Sequence, residues 1–73
     1  MMTRKLKALD VVALLQDRPE EGLVRGQVGT IVEQLGSHTF EVEFSDEEGR
    51  TYAQTAIPYD QLMFLRYKPG EAA

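Results

Sequence analysis

Gly22-Leu-Val-Arg-Gly26-Gln-Val-Gly29-Thr-Ile-Val-Glu-Gln-Leu35 places three glycines close together and then runs straight into a β-branched apolar segment. Glycine inside a strand weakens it unless a bulge, a sharp bend or a close backbone approach needs the missing side chain. The pattern therefore predicts a loop entering a bent strand over Arg25–Leu35. Val28 and Val32 fall on one face of that strand, and Ile31 and Leu35 on the other. A strand apolar on both faces suits a small barrel, where one bent strand serves both halves of the core.

Downstream, Gly36-Ser37-His38 reads as a tight hairpin turn. Thr39–Ser45 follows as the cleanest strand: Phe40, Val42 and Phe44 alternate with Glu41, Glu43 and Ser45, which is period two with the acids outward. Asp46-Glu47-Glu48-Gly49 makes the next turn, its glycine suited to the left-handed position. Thr51–Ile57 is a fourth strand. Pro58-Tyr59-Asp60-Gln61 predicts one turn of tight helix or a β-turn, since proline presets φ. Leu62–Tyr67 is a fifth strand.

Upstream, Asp10–Leu15 is a short apolar run. Leu6, Leu9, Val12 and Ala13 share a helical face, yet the run is brief, holds Val11-Val12 and is soon stopped by Pro19. Strand is the better reading. Gln16–Leu23 is a polar connection, because Arg18 before a proline disfavours helix. The expectation is an all-β fold of five short strands with one helical turn before the last. It forms a single domain over residues 1–73, with its core at about 9–67 and loose ends at 1–7 and 68–73.

Seventy-three residues bury only roughly 60% of the unfolded chain's surface, so the stability margin is thin. The absence of cysteine excludes disulfide staples and thiolate metal sites. Arg4, Lys5 and Lys7 precede an apolar run as in a signal peptide, but Asp10 interrupts it and Gln16-Asp17 stands where small residues would mark cleavage. A cytoplasmic location is expected, with no membrane span. Eight basic and twelve acidic residues leave a net charge of −4, which weighs against nucleic acid and fits a basic protein partner.

The residues Gly26-Gln-Val-Gly29-Thr-Ile31 resemble the glycine-spaced strand of KOW-type and other SH3-like barrels. The turn Pro58-Tyr-Asp-Gln61 before Leu62 is similar to the short helical turn preceding the last strand of those folds. Leu9-Asp-Val-Val-Ala-Leu14, Pro19-Glu-Glu-Gly-Leu23, Gly26–Glu33, Phe40-Glu-Val-Glu-Phe44 and Asp60-Gln-Leu62 together resemble a family of small bacterial and cyanobacterial proteins catalogued as a domain of unknown function. The resemblance covers about residues 6–65. It implies a five-stranded SH3-like barrel and carries over no catalytic residue.

Chemical constellations are sparse. His38, the one histidine, sits beside Ser37 in an exposed turn, where adjacent residues rarely form a buried dyad. Asp46, Glu47 and Glu48 lack the spacing of a calcium loop. Glu41 and Glu43 lie roughly 7 Å apart on one strand face, and alternation alone explains them. Gly22, Gly26 and Gly29 lead into no helix, so no phosphate loop follows. No cofactor, metal or catalytic residue is expected. The favoured reading is a non-enzymatic interaction module or small accessory subunit that meets a basic protein partner through acidic loops 16–25 and 45–50. Its candidate contacts are Asp17, Glu20, Glu21, Arg25, Asp46, Glu47, Glu48 and Tyr59. The alternative is a KOW-like RNA-binding domain using Arg4, Lys5, Lys7, Arg18, Arg25, Arg50, Arg66 and Lys68, with Tyr52, Tyr59 and Tyr67 as stacking platforms.

Overall fold

A computed structural model describes residues 5–66. Five strands follow in chain order: β1 (Val11–Leu14), β2 (Val28–Gln34), β3 (Thr39–Ser45), β4 (Thr51–Pro58) and β5 (Leu62–Phe64). Single turns of 3-10 helix lie at Pro19–Glu21 and Tyr59–Gln61. All neighbouring strands are antiparallel and form one sheet in the order β4-β3-β2-β1-β5. The architecture is all-β, with five strands and a helical turn immediately before the last, as the turn chemistry of Pro58 predicts.

The alternation in β3 translates directly into burial. Phe40, Val42 and Phe44 are sealed in the core, and Glu41 and Glu43 face out. Val12 and Leu14 of β1, Ile31 of β2, Ile57 of β4 and Leu62 of β5 complete the strand contribution. Full burial of each such side chain is worth about 1.5–3 kcal/mol relative to exposure. Leu23 enters the same core from the β1–β2 connection. Leu6 does too, only 3% exposed, so the core begins upstream of residue 9 and the expected loose arm is shorter than its charges imply. β5 ends at Phe64, short of the expected Leu62–Tyr67: Leu65 and Arg66 lie past the strand, and Tyr67 is outside the described residues.

The opening stretch behaves differently from its expectation in two respects. First, β2 begins at Val28, because Arg25-Gly26 form a turn before it. Second, β2 is not buried on both faces. Gly29 and Ile31 face the core, whereas Val28 and Val32 face outward and Leu35 is also exposed. Gly29 serves a close approach. A Cβ there would lie 2.7 Å from Val42 Cγ1 and 2.9 Å from both the Glu43 carbonyl oxygen and Phe44 Cδ2. The irregularity in β2 comes two residues later, at the register shift between Ile31 and Glu33, where an extra residue bends the strand.

Among the described residues β4 pairs only with β3, and β5 only with β1, so the sheet curls round its core without closing by a ladder. The β1–β2 connection lies over the opening. Leu15 N–H donates to the Gln61 carbonyl at 2.9 Å. The Arg18 guanidinium donates to Glu21 Oε1 at 2.8 Å, to Gln61 Oε1 at 2.7 Å and to the Ala56 carbonyl at 3.3 Å. Thr55 Oγ1 donates to Glu21 Oε2 at 3.4 Å, and Gln27 Nε2 to the Tyr52 hydroxyl at 3.0 Å. An unpaired strand edge is a template for unwanted pairing; here side chains from the connection cap the edge of β4 instead.

Candidate functional site

The outward side chains of the sheet can be placed row by row from the strand register. Met63, Ala13 and Val28 stand directly opposite one another across β5, β1 and β2. The next row runs Val11, Thr30, Glu43 and Gln54 across β1, β2, β3 and β4. A third runs Glu33, Glu41 and Ala56 across β2, β3 and β4. Strands sit about 4.8 Å apart, so Val11 and Glu43 are roughly 10 Å from each other.

The surface therefore has two halves. Over β5, β1 and the start of β2 it is apolar, and large side chains remain open to solvent: Met63 is 51% exposed and Val28 48%. Over β2, β3 and β4 it carries Glu33, Glu41 and Glu43. Like charges directly opposite on a sheet are destabilising, and Glu33 and Glu41 are such a pair. Glu41 accepts from Gln54 Nε2 at 2.9 Å and Glu43 from Thr51 Oγ1 at 2.6 Å. Both residues are partly exposed on this surface.

One more exposed apolar side chain precedes β1. Leu9 is 79% exposed and has φ of 76°, a left-handed conformation that costs a leucine roughly 1–2 kcal/mol. Asp10 holds it there. This buried carboxylate accepts the Lys7 backbone N–H at 3.0 Å and Lys7 Nζ at 3.2 Å.

The residues singled out from the sequence as partner contacts occupy three places. Asp17, Glu20, Glu21 and Arg25 lie in the β1–β2 connection, Asp46, Glu47 and Glu48 at the β3–β4 turn, and Tyr59 in the 3-10 turn before β5. Several have internal work. Asp17 Oδ1 accepts the Arg25 N–H at 2.8 Å. Glu21 is held by Arg18 and Thr55. Asp46 Oδ1 accepts the N–H groups of Glu48 and Arg50, both at 2.9 Å, and Arg50 also pairs with Glu48. Glu20 and Glu47 are exposed, with no such contact among the described residues. Tyr59 packs against Phe40, ring centroids 6.4 Å apart.

Ser37 Oγ lies 3.2 Å from His38 Nδ1 on the exposed β2–β3 turn. Among the described residues, no three His, Asp or Glu side chains group so as to hold a metal ion. No helix there is long and apolar enough to cross a membrane.

Residues 8–64 match the family described as Domain of unknown function (DUF4926). The chain belongs to that family. The match spans all five strands of this DUF4926 domain, together with Leu9, Asp10 and the β1–β2 connection. No curated protein and no solved structure matches it.

The apolar half of the outer face was not among the sequence-derived contacts. Its signal was present: Val11, Ala13 and Leu15 alternate with Val12 and Leu14, and Leu62-Met-Phe-Leu65 is apolar at both parities. Both-face apolarity in β1 and β5 marks one core face and one exposed face.

Proposed function

We propose that this DUF4926 domain is a non-enzymatic protein-interaction module with an SH3-like strand order, acting as a small accessory or regulatory subunit. It docks a basic, apolar-anchored segment of a partner protein on the outer face of its sheet. The observation that carries the reading is the row Met63–Ala13–Val28, whose flanks stand half exposed. Contiguous exposed apolar surface on a small protein marks an interaction site. The carboxylates of Glu33, Glu41 and Glu43 continue the same surface, so a segment whose apolar side chains cover Val28 and Met63 brings its flanking lysines or arginines over them. Such complementarity supports specificity and association rate. Glu20 and Glu47 add a long-range attraction for the same partner.

The same carboxylates repel a phosphate backbone, which disfavours an RNA-binding role for this face. The chemistry of a hydrolytic site finds no support either. The Ser37–His38 contact joins neighbouring residues on an exposed turn, without the orienting third group that activates a nucleophile.

Titration of the isotope-labelled protein by NMR tests the reading. The probes are a basic amphipathic peptide, its acidic counterpart and a single-stranded oligouridylate. Shifts from the basic peptide at Val11, Ala13, Val28, Met63 and Glu43 support it. Salt-dependent binding of the oligouridylate, with no response to the basic peptide, overturns it.

A further inference from the structure

The outer apolar surface has a shape that limits what can lie on it. Along β1, Val11 and Ala13 point outward, with exposed Leu9 before them and exposed Leu15 after them. Both ends are tied to the sheet: Leu9 N–H donates to the Ile31 carbonyl at 2.7 Å and Leu15 N–H to the Gln61 carbonyl at 2.9 Å. Exposed Val28 and Val32 flank this column on β2, and exposed Met63 on β5. From Leu9 to Leu15 the extended chain spans about 20 Å, and from β5 to β2 the band is about 10 Å wide. Glu41 and Glu43 lie beyond β2, along one side of the band.

The backbone decides the occupant. β1 is paired with both β2 and β5, and β2 with both β1 and β3, so the N–H and C=O groups beneath the band are committed to the sheet. An extended segment laid over these apolar side chains finds no partner for its own backbone, and burying unpaired backbone groups is costly. A helix satisfies its backbone internally, measures about 10–12 Å across with side chains and covers 20 Å in roughly 13 residues. The sheet curls across its strands around the core, so a straight rod lies flat only along β1.

We propose, resting on the docking reading above, that the partner segment is an amphipathic helix of about 13 residues lying along β1. Its apolar stripe, spaced i, i+3, i+4 and i+7, covers Val11 and Ala13 between Leu9 and Leu15. Its lysines or arginines stand on the flank that faces β3, over Glu41 and Glu43. Reversing the helix carries that flank to the β5 side, so the carboxylates also select the direction in which the helix runs.

Three synthetic peptides of one composition (leucine, lysine, alanine and glutamine) test this against the full isotope-labelled chain. The first has a helical-period leucine stripe with its lysines on one flank. The second moves the lysines to the face opposite the stripe. The third alternates leucine with polar residues at period two. The first is expected to shift the amides of Val11, Ala13 and Val28, to gain helical circular dichroism on binding, and to bind at least about tenfold more tightly than the third. It should bind severalfold more tightly than the second, and Glu41→Gln with Glu43→Gln should erase that difference. Equal or tighter binding of the alternating peptide, or a bound first peptide that stays non-helical, overturns the helix and leaves the docking surface standing. Equal binding of the two helical peptides overturns the one-sided charge recognition. No shift on the outer face from any of the three overturns the docking surface as well.

Discussion

The carboxylate of Asp10 accepts the backbone N–H of Lys7 at 3.0 Å and so closes a turn in which Leu9 adopts a conformation better suited to glycine. Asp10 is 9% exposed and satisfied, whereas Leu9 is open to solvent and strained. Strain that the surroundings enforce collects at functional positions. Leu9→Gly should therefore stabilise the fold by about 1 kcal/mol, a rise in Tm of roughly 4–8 °C for a domain of this size. The same variant should bind the basic amphipathic peptide more weakly, since Leu9 lies two residues before Val11. Calorimetry and the peptide titration read the two effects separately, and an unchanged or lower Tm contradicts the strain argument.

Gly29 faces the opposite constraint. Its backbone is held against Val42, Glu43 and Phe44, and one of the three atoms met by an added Cβ is a carbonyl oxygen of β3, which moves only with its strand. Gly29→Ala should lower stability by about 1–3 kcal/mol through overpacking, and Gly29→Val by more. Denaturant unfolding measures both. A Gly29→Ala midpoint equal to wild type would show that β2 can shift away from β3 at no cost.

Arg18 reaches three acceptors on three segments: Glu21, Gln61 and the Ala56 carbonyl. Its side chain is 18% exposed, so its bonds are partly shielded from water. Arg18→Met should cost about 1–3 kcal/mol, chiefly through the acceptors left behind. Arg18→Lys should recover only part of it, because an ammonium lacks the planar fork. Faster hydrogen exchange in β4 for Arg18→Met is the second readout. Exchange unchanged there would mean that the connection does not protect that edge.

Met63→Glu and Val28→Glu leave the core untouched, since both side chains point outward. Circular dichroism and Tm should stay near wild type, within about 0.5 kcal/mol. Binding of the basic peptide should weaken at least tenfold for the pair combined, because the apolar anchor is removed even though acidity rises. Peptide affinity that increases instead would show that charge alone drives the contact.

Much of this fold is legible in the chain. β3 follows from strict alternation over Thr39–Ser45, and the turn at Tyr59–Gln61 from Pro58. Gly22 and Gly49 take φ of 73° and 83°, as their turn positions require. The destinations of apolar residues that alternation does not sort are harder to read. Val28 and Val32 suit a barrel interior and a solvent-facing sheet equally well until the register places Val28 beside Ala13. Leu6 was hidden among basic residues, although burial of one leucine outweighs the exposure of its charged neighbours. Nothing local marks Leu9, because propensity assigns its conformation to glycine or asparagine. The acids proposed as partner contacts also serve the fold: Asp46 closes its own turn by accepting from Glu48 and Arg50, which local spacing could show, whereas Asp17 with Arg25 and Glu21 with Thr55 meet only in the folded chain.

The pairing of β1 with β5 joins Val12 to Phe64, about fifty residues apart in the chain. Loops of that length close slowly, and until they close β1 has a partner on one side only. A nascent chain that has just cleared Pro58 lacks both the β5 partner of β1 and Leu62 of the core. Completion of the domain thus waits on a three-residue strand, and a chain cut short before Leu62 leaves β1 with one bare edge for chaperones or proteases to find.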